Sequence, residues 1–135
     1  MIHLDTSFLI RALTPGSPQD QRVRAWLLGG ETLSMSAIAW AEFLCGPVEP
    51  SEVDLVVQVV SQRLSFTEED AALAARLFND SGRRRGSLAD CMVAAAAIHA
   101  RAALATENPR DFRRFEAAGL RLASDQPQRR RSGGS

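Results

Sequence analysis

The chain is 135 residues long, with 16 basic and 16 acidic side chains balancing to a formal charge of zero, 45% hydrophobic residues and 24% charged ones. That is one domain's length, with enough apolar material to form a core without disulfide or metal staples. All 16 bases are arginine; the absence of Lys and Tyr excludes lysine Schiff-base chemistry, a Walker A loop and any tyrosine acid or base.

In chain order, Ile2–Leu4 reads as a short buried strand ending at Asp5, and Thr6–Leu13 as a brief helix. Ser17-Pro18 is an N-cap followed by proline at the first helical position; it opens a helix to about Leu28, which Gly29-Gly30 stops. A second strand is expected over Thr32–Met35, and Ser36 then caps the helix of SMSAIAWAEFLCG, which Gly46-Pro47 breaks. Ser51 starts a helix to about Arg63, and Leu64–Phe66 follows as a strand. Thr67 with Glu68, Glu69 and Asp70 marks the start of a helix reaching about Asn79. After the basic loop SGRRRGS, Ser87 opens an alanine-rich helix to Arg101, and Leu104 belongs to a strand. TENPRD is a turn leading into a short helix, and Leu120–Leu122 is a last strand. Strands alternating with helices argue for an α/β domain over residues 1–124, a parallel sheet covered by helices. The tail 125–135, containing QRRRSGGS, is polar and basic and is expected to be disordered.

Cys45 and Cys91 both fall in apolar helical patterns and read as buried free thiols in a reducing compartment. MIHLDTS has neither a basic n-region nor a long apolar run, and no stretch approaches the about 18 apolar residues of a membrane span, so a cytoplasmic location and no membrane contact are expected.

The acids carry the chemistry. Glu42 is the sole charge between Glu31 and Glu49, on a helix that looks apolar all round and therefore buried. A lone buried carboxylate costs several kcal/mol unless something pairs with it; alternatively, it sits at the edge of the buried stripe and reaches water or a distant arginine. Asp5 ends a parallel strand, where α/β sheets bind ligands, yet it is equally an N-cap for the next helix. Asp90 is the only acid from Gly86 to Ala105; Ser87-x-x-Asp90 also has capping-box spacing. Asn108 and Asp111 follow the Leu104 strand, Asn108 as a turn residue before Pro109 and Asp111 as a potential cap. If the strands all run one way, Asp5, Asp90 and the Asn108–Asp111 turn converge at one end of the sheet. Clustered carboxylates stay ionised only beside a cation, and an all-oxygen donor set selects Mg²⁺ or Mn²⁺.

This constellation resembles the PIN domain, specifically the VapC-type toxin ribonucleases of VapBC toxin–antitoxin pairs. The pieces are IHLDTSFLI, SAIAWAEFLCG, SLADCMVAAAA and LATENPRDF, in order over Ile2–Leu122. The resemblance implies a three-layer α/β/α domain with a short central parallel sheet of four to five strands. It implies Asp5, Glu42 and Asp90 as metal-binding acids, and Ser7 as a small polar residue orienting the first. Where the family often carries a fourth acid, two residues after Thr106, this chain has Asn108; Asp111 is the expected contributor instead, with Thr106 and Asn108 as polar supports. The implied activity is Mg²⁺- or Mn²⁺-dependent hydrolysis of RNA phosphodiesters. The implied partners are RNA, a VapB-like antitoxin and a second copy in a homodimer, with apolar helices near Trp40 and Val56–Val60 as surfaces.

Arg83, Arg84 and Arg85, close before Asp90, are expected to reach the RNA backbone, or else to form a solvated loop. His3 and His99 read as structural, and Trp26 and Trp40 as packing residues. A phosphoacceptor reading of Asp5 fails for want of a lysine, and because residue 7 is Ser where the dehalogenase pattern has Asp. A catalytically degenerate PIN domain acting as a binding module is the remaining alternative, prompted by Asn108.

Overall fold

The computed structural model describes residues 1–81 and 87–124. The Arg83–Arg85 loop and the 125–135 tail therefore lie outside the described residues. Five strands form one all-parallel sheet in the order β3-β2-β1-β4-β5: β1 Ile2–Leu4, β2 Leu33–Ser36, β3 Gln62–Leu64, β4 Ala103–Ala105 and β5 Arg121–Leu122. Register places Ile2 opposite Leu33 on one side and Ala103 on the other.

The helices fill the crossovers: α1 Thr6–Ala12 and α2 Pro18–Leu28 after β1, and α3 Ala37–Cys45 and α4 Pro50–Val59 after β2. Then come α5 Glu68–Asp80 and α6 Ser87–Ala100 after β3, and α7 Pro109–Phe112 with a 3-10 turn, Arg113–Ala118, after β4. Successive strands step outward from β1 to β3, then return across it to β4 and β5. Right-handed crossovers consequently lay α1–α4 on one face and α5–α7 on the other, the three layers the resemblance implies. Leu4 accordingly shares a groove with Leu9, Val23 and Val56 from α1, α2 and α4. His3, pointing the opposite way, feels the charge of Asp70 on α5.

Local signals set most helix ends. Ser17 accepts the Asp20 amide, Ser36 the Ala39 amide, and Thr67 and Asp70 form a reciprocal capping box. Three C-termini close as Schellman motifs. In α2, Glu31 N–H reaches Trp26 O (2.9 Å) with Gly30 at φ 82°. In the 3-10 turn, Leu120 N–H reaches Phe115 O (3.2 Å) with Gly119 at φ 111°. In α6, Ala102 N–H reaches Ala97 O (3.0 Å), but the left-handed position is Arg101, at φ 55°.

Four expectations need correction. Helix α4 runs Pro50–Val59 behind a Glu49–Glu52 capping box, so the strand is Gln62–Leu64 and not Leu64–Phe66. Val60 leaves helical geometry (φ −90°, ψ 103°), and Ser61 N–H bonds Leu33 O at 3.1 Å, drawing the following residues into register on β2. Because β3 is an edge strand with Gln62 and Arg63 exposed, it shows no apolar run in sequence. Helix α3 is not buried all round: only Ala39 and Phe43 are, and Ala41, Glu42, Leu44 and Cys45 are exposed. Of the two thiols, Cys91 is buried but Cys45 lies on the exposed last turn of α3. Val56 and Val60 are core residues, leaving Leu55 and Val57 as the outward apolar positions of α4.

Candidate metal centre at the carboxyl end of the sheet

The strand order reverses direction between β1 and β4, the switch point where crevices open in α/β sheets. Asp5 leaves β1 there. It is an N-cap, with Oδ1 accepting the Thr6 amide at 3.0 Å, and it is also pinned from a second element. Its Oδ2 accepts from Ser7 Oγ at 2.9 Å and from Thr106 Oγ1, one residue past β4, at 2.8 Å. Both hydroxyls are held in turn, since Ser7 Oγ accepts the Glu107 amide and Thr106 Oγ1 the Asn108 amide, each at 3.1 Å. The hydroxyl protons are thereby directed at the carboxylate. The two readings of Asp5 are both realised: one oxygen caps α1 while the other ties the β1 and β4 turns together.

Glu42 projects from the middle of α3. Loss of hydration raises its pKa first, and the charges of Asp5 and then Asp90 raise it further. Asp90, half-buried in the first turn of α6, is raised by burial, by Asp5 and by Asp111, against a lowering pull from Arg114. Glu42 thus faces the charges of Asp5 and Asp90, and Asp90 those of Asp5 and Asp111, as carboxylates gathered in a partly desolvated cleft must. The exposed face of α3 changes the terms in which Glu42 is understood. It sits at the exposed edge of the helix, partly stripped of water and facing the like charges of Asp5 and Asp90.

Asn108 is exposed, and its contribution is the backbone amide, not the side chain. The residue missed in sequence is Arg114, whose charge opposes the acids; its signal was its place one helical turn after Asp111. Gln19 was also missed: its Nε2 donates to Glu107 at 2.8 Å and braces the β4 turn against α2. Among the described residues, no three His, Cys, Asp or Glu side chains already stand in a coordinating group. The donor chemistry, oxygen only, fits a hard divalent cation; the cleft is not a closed cage.

The PIN domain family model matches residues 2–118. This chain belongs to the PIN domain family. FitAcB from Neisseria gonorrhoeae is similar in structure to this PIN domain, with 26% identity, a TM-score of 0.64, and 93% of this chain and 98% of that chain covered. VapBC2 from Rickettsia felis, solved bound to a DNA fragment from its promoter, shares the fold at 21% identity and a TM-score of 0.69, covering 91% of this chain and 98% of that one. A toxin–antitoxin complex from Klebsiella pneumoniae shares it at 21% identity and a TM-score of 0.69, over 93% and 98% of the two chains. No curated protein is similar enough to match. Among the described residues, no helix of this PIN domain is long and apolar enough to cross a membrane.

Proposed function

We propose that this PIN domain is a metal-dependent endoribonuclease, the toxin of a type II toxin–antitoxin pair, acting on RNA in the cytoplasm. The observation that carries the reading is the gathering of Glu42, Asp90 and Asp111 about the hydroxyl-pinned Asp5 at the switch point. Crowding these carboxylates destabilises the free protein, and a cation turns that liability into binding energy. Asp5, Glu42 and Asp90 would hold Mg²⁺ or Mn²⁺, with Asp111 contributing directly or through water. The chemistry such an ion supplies is a water made nucleophilic near neutral pH and compensation of charge on the phosphate and leaving oxygen.

The chain's own residues supply the rest. Ser7 and Thr106 fix the Asp5 carboxylate, so little ordering remains to be done when an ion arrives. Glu42 and Asp90 hold protons more firmly than isolated acids do, so metal affinity rises with pH as those protons are displaced. No lysine or tyrosine is needed, since the attacking water requires no such side-chain base.

The partner assignment draws on neighbours solved as toxin–antitoxin complexes. A VapB-like antitoxin covering the cleft follows from that likeness, and a homodimer is what the VapC-type resemblance implies. The outward Leu28, Leu44, Leu55 and Val57 offer apolar surface for such contacts. The degenerate, binding-only reading has one observation behind it, the exposed Asn108 at the fourth-acid position. Incubation of wild type and Asp90→Ala with total RNA plus Mg²⁺ or Mn²⁺, with an EDTA control, separates the two. Cleavage by wild type alone, abolished by EDTA, is expected. No cleavage, with Mn²⁺ binding insensitive to Asp5→Ala, would establish the binding module.

A further inference from the structure

A cleft of four carboxylates repels the polyanion it is meant to cut, so something nearby has to bind phosphate. Helix α7 and the 3-10 turn that continues it bury Phe112 and Phe115, one turn apart, in the core. Asp111 and Arg114, each one position earlier, share the neighbouring face at i,i+3 spacing. Asp111 is one of the candidate acids, so its face-mate Arg114, exposed one turn later, stands at the rim of the acidic cleft. Its guanidinium lies over the Phe115 ring, 4.5 Å from the centroid, and Phe115 is itself buried, so the platform is firm.

Among the described residues, three arginines stack on aromatic rings in this way. Arg22 spends guanidinium hydrogens on Ser124 O (3.1 Å), and Arg63 on Val60 O (3.0 Å). Arg114, among the described residues, makes no hydrogen bond or ion pair, although acids lie close by. A guanidinium that is oriented by stacking, near the acids yet bonded to none, keeps its planar fork of donors for an incoming ligand. Planar forks match phosphate oxygens in pairs.

We propose that Arg114 is the phosphate-anchoring residue of this site, gripping a phosphate of single-stranded RNA beside the acids and offsetting their repulsion. The inference rests on the ribonuclease reading and deepens it. Its role is toward substrate and not toward metal: removing a cation from the rim leaves divalent-ion affinity unchanged or raised.

The test uses the full chain carrying Glu42→Gln, which is expected to bind without cleaving, and a fluorescent single-stranded oligoribonucleotide read by anisotropy with Mn²⁺ present. Adding Arg114→Ala should weaken RNA binding about tenfold and lower the slope of log affinity against log salt by about 0.7, the loss of one phosphate contact. Arg114→Lys should keep the slope while losing part of the affinity, because the charge remains and the fork does not. Arg113→Ala, removing equal charge next door, should leave binding unchanged, and Mn²⁺ titration of Arg114→Ala should show no loss of metal affinity. If Arg114→Ala melts early, Arg114→Gln keeps a long stem over Phe115 and carries the same comparison. Undiminished RNA affinity, an equal loss in Arg113→Ala, or a loss confined to Mn²⁺ binding would each overturn the assignment. Cleavage by the Glu42→Gln chain would instead strike at the metal-site reading and leave Arg114 to be judged by its binding arms.

Discussion

His3 offers a quantitative check on the packing around β1. Its side chain is 1% exposed, and neither ring nitrogen has a hydrogen-bond partner among the described residues. Burial, reinforced by the nearby N-terminal ammonium and opposed by Asp70, lowers its pKa from 6.5 to about 4. The unfolded chain therefore takes up the proton first. The stability that comes from keeping the ring neutral is fully present above pH 6.5 and is lost as pH falls through 6.5 toward 4. At 1.36 kcal/mol per pKa unit, the loss reaches about 2 kcal/mol at pH 5 and about 3 kcal/mol at pH 4. Leucine is near enough in volume to fill the site and cannot titrate. Urea unfolding of wild type and His3→Leu, followed by Trp26 and Trp40 fluorescence, gives the difference in stability at each pH, and the carboxylates common to both chains cancel. Relative to wild type, His3→Leu should gain about 2 kcal/mol between about pH 7.5 and about pH 5. A constant offset across that range would refute the reasoning, because it would mean the ring finds a proton acceptor or water in the folded state.

Thr106→Val removes one hydroxyl from Asp5 at nearly constant volume; Mn²⁺ affinity by isothermal titration should fall about 10- to 100-fold and recover in Thr106→Ser. Unchanged affinity would mean that Ser7 and the helix cap orient Asp5 without help. Glu42→Gln should abolish Mg²⁺- or Mn²⁺-dependent RNA cleavage. In EDTA the same variant should be stabilised relative to wild type as pH rises: a raised carboxyl contributes stability below its unfolded pKa of 4.5 that is lost as pH climbs through the folded value. Thermal melts near pH 4 and pH 7 check the widening gap; an active Glu42→Gln chain sinks the metal-ligand role. Arg101→Gly should raise unfolding stability by about 1 kcal/mol in urea titration, since a left-handed Schellman position penalises a Cβ. A loss would show that the Arg101 side chain contributes more than its backbone geometry costs.

Much of the fold was legible before any coordinates. The Ser17-Pro18 start, the Gly29-Gly30 stop, the Ser36 cap and the helix start at Thr67–Asp70 each depend on atoms within about four residues of one another, so adjacency in sequence already specifies the geometry. The isolated acids were legible for a related reason: a charge in an apolar surrounding stands out wherever the chain places it. Strand β3 was misplaced because it is an edge strand with two exposed residues, and its position follows from hydrogen bonds to β2 that no local pattern encodes. Glu42 and Cys45 look buried by composition, yet whether an apolar helix face is covered depends on which neighbours arrive, and α3 is covered only along Ala39 and Phe43.

By itself, then, the sequence determined most of the helices and their starts, the parallel α/β class and the acids with the chemistry to hold a cation, because caps, periodicity and isolated charges act over one or two turns of chain. Only the tertiary structure decided that Thr106, 101 residues away, orients Asp5, that Asp5 and Asp90 raise the proton affinity of Glu42, and that Arg114 stands beside Asp111 at the rim of the same cleft. Those are through-space couplings, set by β1 and β4 lying side by side in register, and strand adjacency is a property of the folded sheet and not of any stretch within it.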